Sequence, residues 1–269
     1  MSIPPSTSAT SRSTSALAGA TLIVTRPAGT ARTLVARARL LGGDAVAVPG
    51  LSLREAPDAA RARASLRAAR AADLWIFTSP AAVRFAFRLS PSLQMPRRAQ
   101  AFGVGAGTAR ALARHGIWAI APHEHADSEG LLALPELADV RGRRIALIGA
   151  QGGRDLIAST LRRRGATVEA IHVYQRVAPR LTRRHFDALV AAPDPLVMLI
   201  SSGEALRNLV SLLPAPLLAR LHHQPLVVSS SRIAGFARDH GFGDIVEAAS
   251  ALPGDLLDGA RWALARHRL

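Results

Sequence analysis

Hydroxyl side chains and an arginine recur where apolar runs give way to helical patterns, at Thr25-Arg26, Thr78-Ser79, Thr108, Ser201-Ser202 and Ser229-Ser230. A Ser or Thr in that place accepts hydrogen bonds from helix N–H groups. The same N–H groups, joined by the hydroxyls, suit the oxygens of a carboxylate or phosphate. Open α/β sheets bind ligands beyond the carboxyl ends of their strands, which is where these residues are expected to fall. Tyr174, the single tyrosine, directly follows the β-branched run 168–173 and is expected to end that strand. None of the hydroxyls forms, with a histidine, a plausible set of nucleophile, base and orienting group.

Other motifs carry less. The loop Gly103-Val104-Gly105-Ala106-Gly107-Thr108 resembles a fragment of a nucleotide loop. No acidic residue follows at the ribose-binding distance, and neither this loop nor Gly149–Gly153 has the phosphate-loop lysine. His123-Glu124-His125-Ala126-Asp127 sets two histidines two apart in a polar loop, a spacing that reads as solvated, so no metal is expected. The chain has no cysteine. That excludes disulfides, thiolate nucleophiles and cysteine-based zinc or iron–sulfur sites.

All 34 basic residues are arginine, against 19 acids, for a formal charge of +15. Coding bias toward arginine and alanine is one explanation of this balance; a polyanionic partner, a nucleic acid or a small molecule with many carboxylates or phosphates, is the other. Nucleic-acid surfaces interleave basic and aromatic residues, and aromatics are only 4% here, so a small polyanion fits better. A basic α/β nucleic-acid-binding protein is the alternative, and a nucleotide- or sugar-phosphate-binding enzyme a third reading. At 269 residues and 49% apolar content the chain can form one large or two ordinary domains. No apolar run approaches the roughly 20 residues that span a bilayer. Residues 1–19, rich in Ser and Thr, are expected to be a disordered tail and not a secretory signal, which places the protein in the cytoplasm.

The elements that must position the hydroxyls are clearest at 143–177. A β-branched run, Ile145–Ile148, a glycine loop, a helix with an apolar face at Leu156, Ile157, Thr160 and Leu161, a stop at Gly165 and a second run form a βαβ unit. The same pattern occupies 22–48, with Gly42 matching Gly165 at an offset of 165 − 42 = 123. The segment 77–85 matches 200–208 at the same offset, and Ala109–Gly116 matches Ala234–Gly241 with the glycines 125 apart. Three matched segments in one order predict two similar α/β halves.

These segments together resemble the uroporphyrinogen-III synthase family. The resemblance rests on TRP at 25–27, FTSPAAV at 77–83, VGAGTARAL at 104–112, SEGLL at 128–132, the stretch 152–176, SSGEALRNL at 201–209 and 227–242. It covers nearly all of the chain after the tail. It implies an α/β protein of two similar doubly wound parallel-sheet domains with a ligand cleft between them, joined by a two-stranded connector. One domain would hold 20–49 with 176–269 and the other 50–175, where a plain tandem repeat suggests 20–142 and 143–269. It implies a lyase of heme biosynthesis that cyclises hydroxymethylbilane, with loss of water and inversion of ring D. The enzyme would act as a monomer without cofactor, membrane or nucleic acid, in transient contact with the preceding pathway enzyme. Tyr174 matches the family's tyrosine and is expected to assist departure of the hydroxyl. Thr25, Arg26, Thr78, Ser79, Thr108, Ser201, Ser202, Ser229 and Ser230 are expected to hold carboxylates, many through backbone N–H groups. Some members carry Gly-Pro-Thr-Thr-Ala where this chain has Ser230–Ala234, so hydroxyl roles do not transfer to Arg232 and Ile233.

Overall fold

A computed structural model describes residues 16–123, 125–152 and 155–267. The chain runs β1 (Thr21–Val24), α1 (Arg32–Leu40), β2 (Asp44–Ala47), β3 (Ser52–Glu55), α2 (Ala59–Ala68), β4 (Leu74–Phe77), α3 (Pro80–Leu89), β5 (Gln100–Gly103) and α4 (Ala106–Ala113). It continues through β6 (Ala119–Ile120), α5 (Ser128–Leu132), β7 (Arg144–Ala150), α6 (Leu156–Arg163), β8 (Thr167–Val177), α7 (Arg183–Ala191) and β9 (Leu196–Ile200). The last elements are α8 (Gly203–Leu212), α9 (Ala215–His222), β10 (Leu226–Val228), α10 (Ser231–Asp239), β11 (Ile245–Glu247) and α11 (Pro253–His267). Strands β1, β4, β9 and β10 are buried at every residue. Their sequences, apolar except for Thr21, suit parallel strands covered by helices on both faces.

The described residues divide into two compact units, one built from those up to Ser52 together with those from Val177 onward, the other from those between Leu53 and Arg176. The first holds a five-stranded sheet in the order β11-β10-β9-β1-β2, and the second a six-stranded sheet in the order β3-β8-β7-β4-β5-β6. Inside the first unit, Leu22 and Val24 pack with α1 and α11, while Ile23, Met198 and Ile200 pack with α7, α8 and α10 on the opposite face. Inside the second, Trp75, Phe77 and Ile148 pack with α2 and α3, and Leu74, Ile76 and Ile145 with α5 and α6. Alternate residues of one strand feed opposite cores, as the two-residue period of a strand requires. Each unit is therefore doubly wound.

The internal repeat maps onto these sheets. Read from its other edge, the second sheet runs β6-β5-β4-β7-β8, and position by position it matches β11-β10-β9-β1-β2 of the first. Gly42, Gly116, Gly165 and Gly241 all have positive φ. At each, the glycine N–H bonds three residues back and the next N–H five residues back, as in Gly165 to Arg162 and Ala166 to Leu161. This is the helix-ending Schellman motif, whose left-handed residue costs glycine least. The four glycines are the two pairs that the repeat matches. Tyr174 has no such counterpart, because 174 − 123 = 51 and residue 51 is leucine.

Some local expectations shift. Tyr174 does not end its strand: β8 continues to Val177, and β7 continues through Gly149 and Ala150. The ladder between them is why, for Gly149 pairs with His172 and Ala150 with Tyr174, skipping Val173 in a bulge. Helices α7 and α9 fill segments for which the sequence pattern predicted no element. Of the segment expected to be a tail, residues 1–15 lie outside the described residues; the remainder forms a turn in which Leu17 is fully buried and bonds to Leu41.

Candidate functional site

In the second unit the strand ends converge on a cavity of about 430 Å³. Thr78 and Ser79 enter it after β4, Val104 after β5, Gly149, Ala150 and Gly152 at the end of β7, and His172, Tyr174 and Arg176 from β8. This is the carboxyl side of a parallel sheet, where the chain leaves each strand and helix N–H groups face outward. His172, Tyr174 and Arg176 lie two apart along β8 and all line the cavity. That i, i+2, i+4 spacing was a signal in the sequence for two lining residues, His172 and Arg176, that the strand-end pattern alone did not single out.

Tyr174 is the most constrained of these side chains. It is 5% exposed. Its ring stacks on Phe85, with centroids 5.2 Å apart and planes 12° apart. Its hydroxyl lies 3.1 Å from Ser79 Oγ, which also accepts the Ala82 N–H at 3.0 Å and so caps α3. Thr78 donates its hydroxyl to the Ile148 carbonyl at 3.4 Å. Gly149 lets β7 pass this close, since a Cβ there would stand 2.5 Å from Thr78 Oγ1. Arg176 bonds to the Gly152 carbonyl and lends the cavity positive charge. The hydroxyls of Tyr174 and Ser79 and the Arg176 guanidinium thus meet in one place. The arrangement can hold an anion and present a phenol proton to an oxygen leaving group.

Thr108 is not part of it. It is 3% exposed and packs against Gly103, whose Cβ would come 3.0 Å from Thr108 Cβ. The glycines of that loop have a packing reason as well, for a Cβ at Gly105 would lie 2.7 Å from Ala126 Cβ. Asp127 caps α5 through the Gly130 N–H at 2.7 Å. Among the described residues, which exclude Glu124, no group of three or more His, Cys, Asp or Glu could hold a metal ion. A second cavity of about 330 Å³, lined by Asp58, Arg61, Gln151 and His172, lacks the strand-end hydroxyls.

In the first unit Thr25-Arg26, Ser201-Ser202 and Ser229-Ser230 follow β1, β9 and β10, three adjacent parallel strands, and so stand along one end of that sheet. Thr25 itself is turned inward: it is 3% exposed and donates to the Leu199 carbonyl at 2.6 Å. Arg26 donates to the Ala251 carbonyl and keeps a buried Nε without a partner; burial pushes its guanidinium below the ordinary value. Ser202 Oγ caps α8 at 3.4 Å from the Ala205 N–H, and Ser230 occupies the cap of α10 with no side-chain bond. Ile233 is buried, while Arg232 reaches back with Nη1 3.6 Å from where a Gly203 Cβ would be. A cation therefore stands at the start of α8.

Two doubly wound units with amide- and hydroxyl-rich strand ends, one carrying a single buried phenol, define an α/β enzyme suited to a polyanionic substrate. A family model described as "Uroporphyrinogen-III synthase HemD" matches residues 32–258. Uroporphyrinogen-III synthase from Escherichia coli is 34% identical over 234 residues, covering 86% of this chain and 95% of that protein. The Salmonella typhimurium enzyme is 34% identical over 242 residues at the same coverage. Among solved structures, uroporphyrinogen-III synthetase from Helicobacter pylori superposes with a TM-score of 0.59 at 13% identity, over 89% of this chain and 97% of that one. A mutant uroporphyrinogen III synthase from Thermus thermophilus gives 0.57 at 22%, over 92% and 99%. Those two likenesses concern the fold. The chain belongs to the uroporphyrinogen-III synthase family, lyases of porphyrin and heme biosynthesis that release water. The nucleic-acid alternative finds no support.

Proposed function

We propose that this chain closes hydroxymethylbilane to uroporphyrinogen III, and that Tyr174 assists the first step. Breaking the hydroxymethyl C–O bond sends its electron pair to oxygen, and a proton from the phenol makes the departing group water. The pyrrole nitrogen supplies the electrons, giving an azafulvenium; loss of its N–H proton, which restores the phenol from the phenolate, leaves the neutral azafulvene. Attack by the substituted carbon of the terminal ring gives a spiro intermediate, which fragments and recloses with ring D reversed. Because ring closure without rearrangement needs no enzyme, the protein's task is orientation together with timely loss of water. The observation that carries this reading is the Tyr174 hydroxyl, held by Phe85 and Ser79 at a cavity that also contains Arg176.

Arg26, Ser201, Ser202, Ser229 and Ser230 in the first unit offer amides, hydroxyls and charge to the substrate's carboxylates; in the second unit Thr78 does so by a hydroxyl that can leave its long bond to Ile148, and Ser79 by its backbone N–H. Thr25, whose side chain is buried, contributes through the backbone, whereas Thr108 lies outside the cavity and gives its N–H to the Gly105 carbonyl at 2.9 Å. Among the described residues no helix is long and apolar enough to cross a membrane. A monomer acting in the cytoplasm is part of the proposal. The test generates hydroxymethylbilane in situ, adds the purified protein, oxidises the products and separates porphyrin isomers I and III. Isomer III growing with protein concentration is expected. Isomer I alone, at the uncatalysed rate and with folded protein, would overturn the reading.

A further inference from the structure

The bond between Ser79 and Tyr174 can run either way, since each hydroxyl has one proton and can accept. Three features favour Ser79 as the donor. Ser79 Oγ already accepts the Ala82 N–H at 3.0 Å, which withdraws electron density and makes the serine proton a stronger donor. That N–H belongs to the first turn of α3, a ten-residue helix whose positive end favours donors aligned away from it. Among the described residues, Tyr174 Oη at 3.1 Å is the one acceptor within hydrogen-bond reach of the serine proton. The phenol, stacked on Phe85, cannot turn elsewhere without losing that packing.

We infer that Ser79 is a positioning residue that donates to Tyr174, completing a one-way line of donors from the Ala82 N–H through Ser79 to the phenol. This rests on the proposed role of Tyr174. With its oxygen occupied as acceptor, the phenol turns its own proton toward the cavity, where the departing hydroxyl would be. The serine breaks no covalent bond; it sets the direction and the strength of the donor. The repeat sharpens the point. Ser202 caps α8 in the matched position of the other unit, where residue 51 is leucine, so capping alone explains a serine there.

Four variants separate capping from donation. Ser79→Thr keeps both the cap and the proton, and its kcat for isomer III should stay within about threefold of the parent. Ser79→Asp keeps the cap but, ionised, can only accept from Tyr174, so kcat should fall by about tenfold or more while thermal stability holds. Ser79→Ala should lose both, and Ser79→Ala combined with Tyr174→Phe should be no slower than Tyr174→Phe alone. The chain's single tyrosine gives an isolated Raman ring doublet, whose intensity ratio is higher when the phenol oxygen accepts than when it only donates. The acceptor pattern is expected in the parent and Ser79→Thr, and the donor pattern in Ser79→Asp. Parental kcat in Ser79→Asp, or a donor pattern in the parent, would overturn the inference. If Tyr174→Phe keeps the parental rate, the role of Tyr174 fails; if Tyr174→Phe is slow while both Ser79→Asp and Ser79→Ala keep parental kcat, the serine's role alone fails.

Discussion

Phe85 and Tyr174 lie nearly flat against each other, 5.2 Å between centroids, and the arginines at 84 and 88 each place a guanidinium 5.2 Å from the Phe85 ring. An aromatic pair of this kind contributes about 0.5–1.5 kcal/mol beyond the area it buries, and it depends on the rings, not on the hydroxyl. Packing and chemistry at Tyr174 are therefore separable.

Tyr174→Phe keeps the stack and removes only the phenol proton and its bond to Ser79. Stability should drop by about 1 kcal/mol, the net worth of one hydrogen bond. The rate of isomer III formation should drop by about 10²-fold or more, as expected when a positioned proton donor is lost. Product separation by chromatography, alongside a thermal melt, checks both. A parental rate with an intact melt would remove the phenol from the chemistry.

Gly149 is held by contact and not by backbone conformation, since its φ is not among the positive ones. An added Cβ would stand 2.5 Å from Thr78 Oγ1 and 3.2 Å from Thr78 Cγ2, and the neighbour is a short side chain whose hydroxyl bonds to Ile148. Gly149→Ala should cost about 1–3 kcal/mol by overpacking and should push Thr78 into the cavity. Lower activity with a raised KM is the expected outcome; unchanged KM would show that Thr78 does not touch the substrate.

The parts of the fold that were legible in the sequence are those fixed by local rules. Gly42, Gly116, Gly165 and Gly241 stop helices because the C′ residue must be left-handed, and their 123- and 125-residue offsets disclosed matching sheets. Ser79 was readable as a cap for the same local reason. What the sequence hid is what depends on tertiary placement. Thr25 and Thr78 both follow a buried strand, yet Thr25 is sealed against Leu199 while Thr78 lines a cavity. The partner of Tyr174 is 95 residues away in sequence, so no spacing rule could pair it with Ser79. The bulge at Val173 arises from the ladder with β7 and has no sequence mark of its own.

Gly116 and Gly165 share a left-handed backbone but not a setting. A Cβ at Gly116 meets nothing within 4 Å, whereas one at Gly165 would lie 3.1 Å from Arg141 Cγ and 3.3 Å from Arg141 Cα. Gly116→Ala should therefore cost only the conformational penalty, about 1–2 kcal/mol. Gly165→Ala should cost more, because Arg141 backbone must also yield. Denaturant melts of the two variants measure the difference, and equal losses would show that the helix end at Gly165 relaxes freely.

Arg26 offers the sharpest division between structure and binding in the first unit. Its guanidinium gives one bond to Ala251, leaves Nε buried without a partner, and is pushed below its usual value by burial. A side chain kept for stability would have its donors matched, because an unsatisfied buried donor costs free energy that an apolar stem avoids. Arg26→Met retains the stem and removes the cation. Stability should change little, by roughly 1 kcal/mol or less, since one lost hydrogen bond is offset by relief of the unpartnered Nε. KM for hydroxymethylbilane should rise about tenfold, the worth of one charge-assisted contact with a carboxylate. Arg26→Lys should recover only part of this, because an ammonium cannot reproduce the planar fork. A fall in melting temperature with KM unchanged would assign Arg26 to holding the Ala251 loop instead.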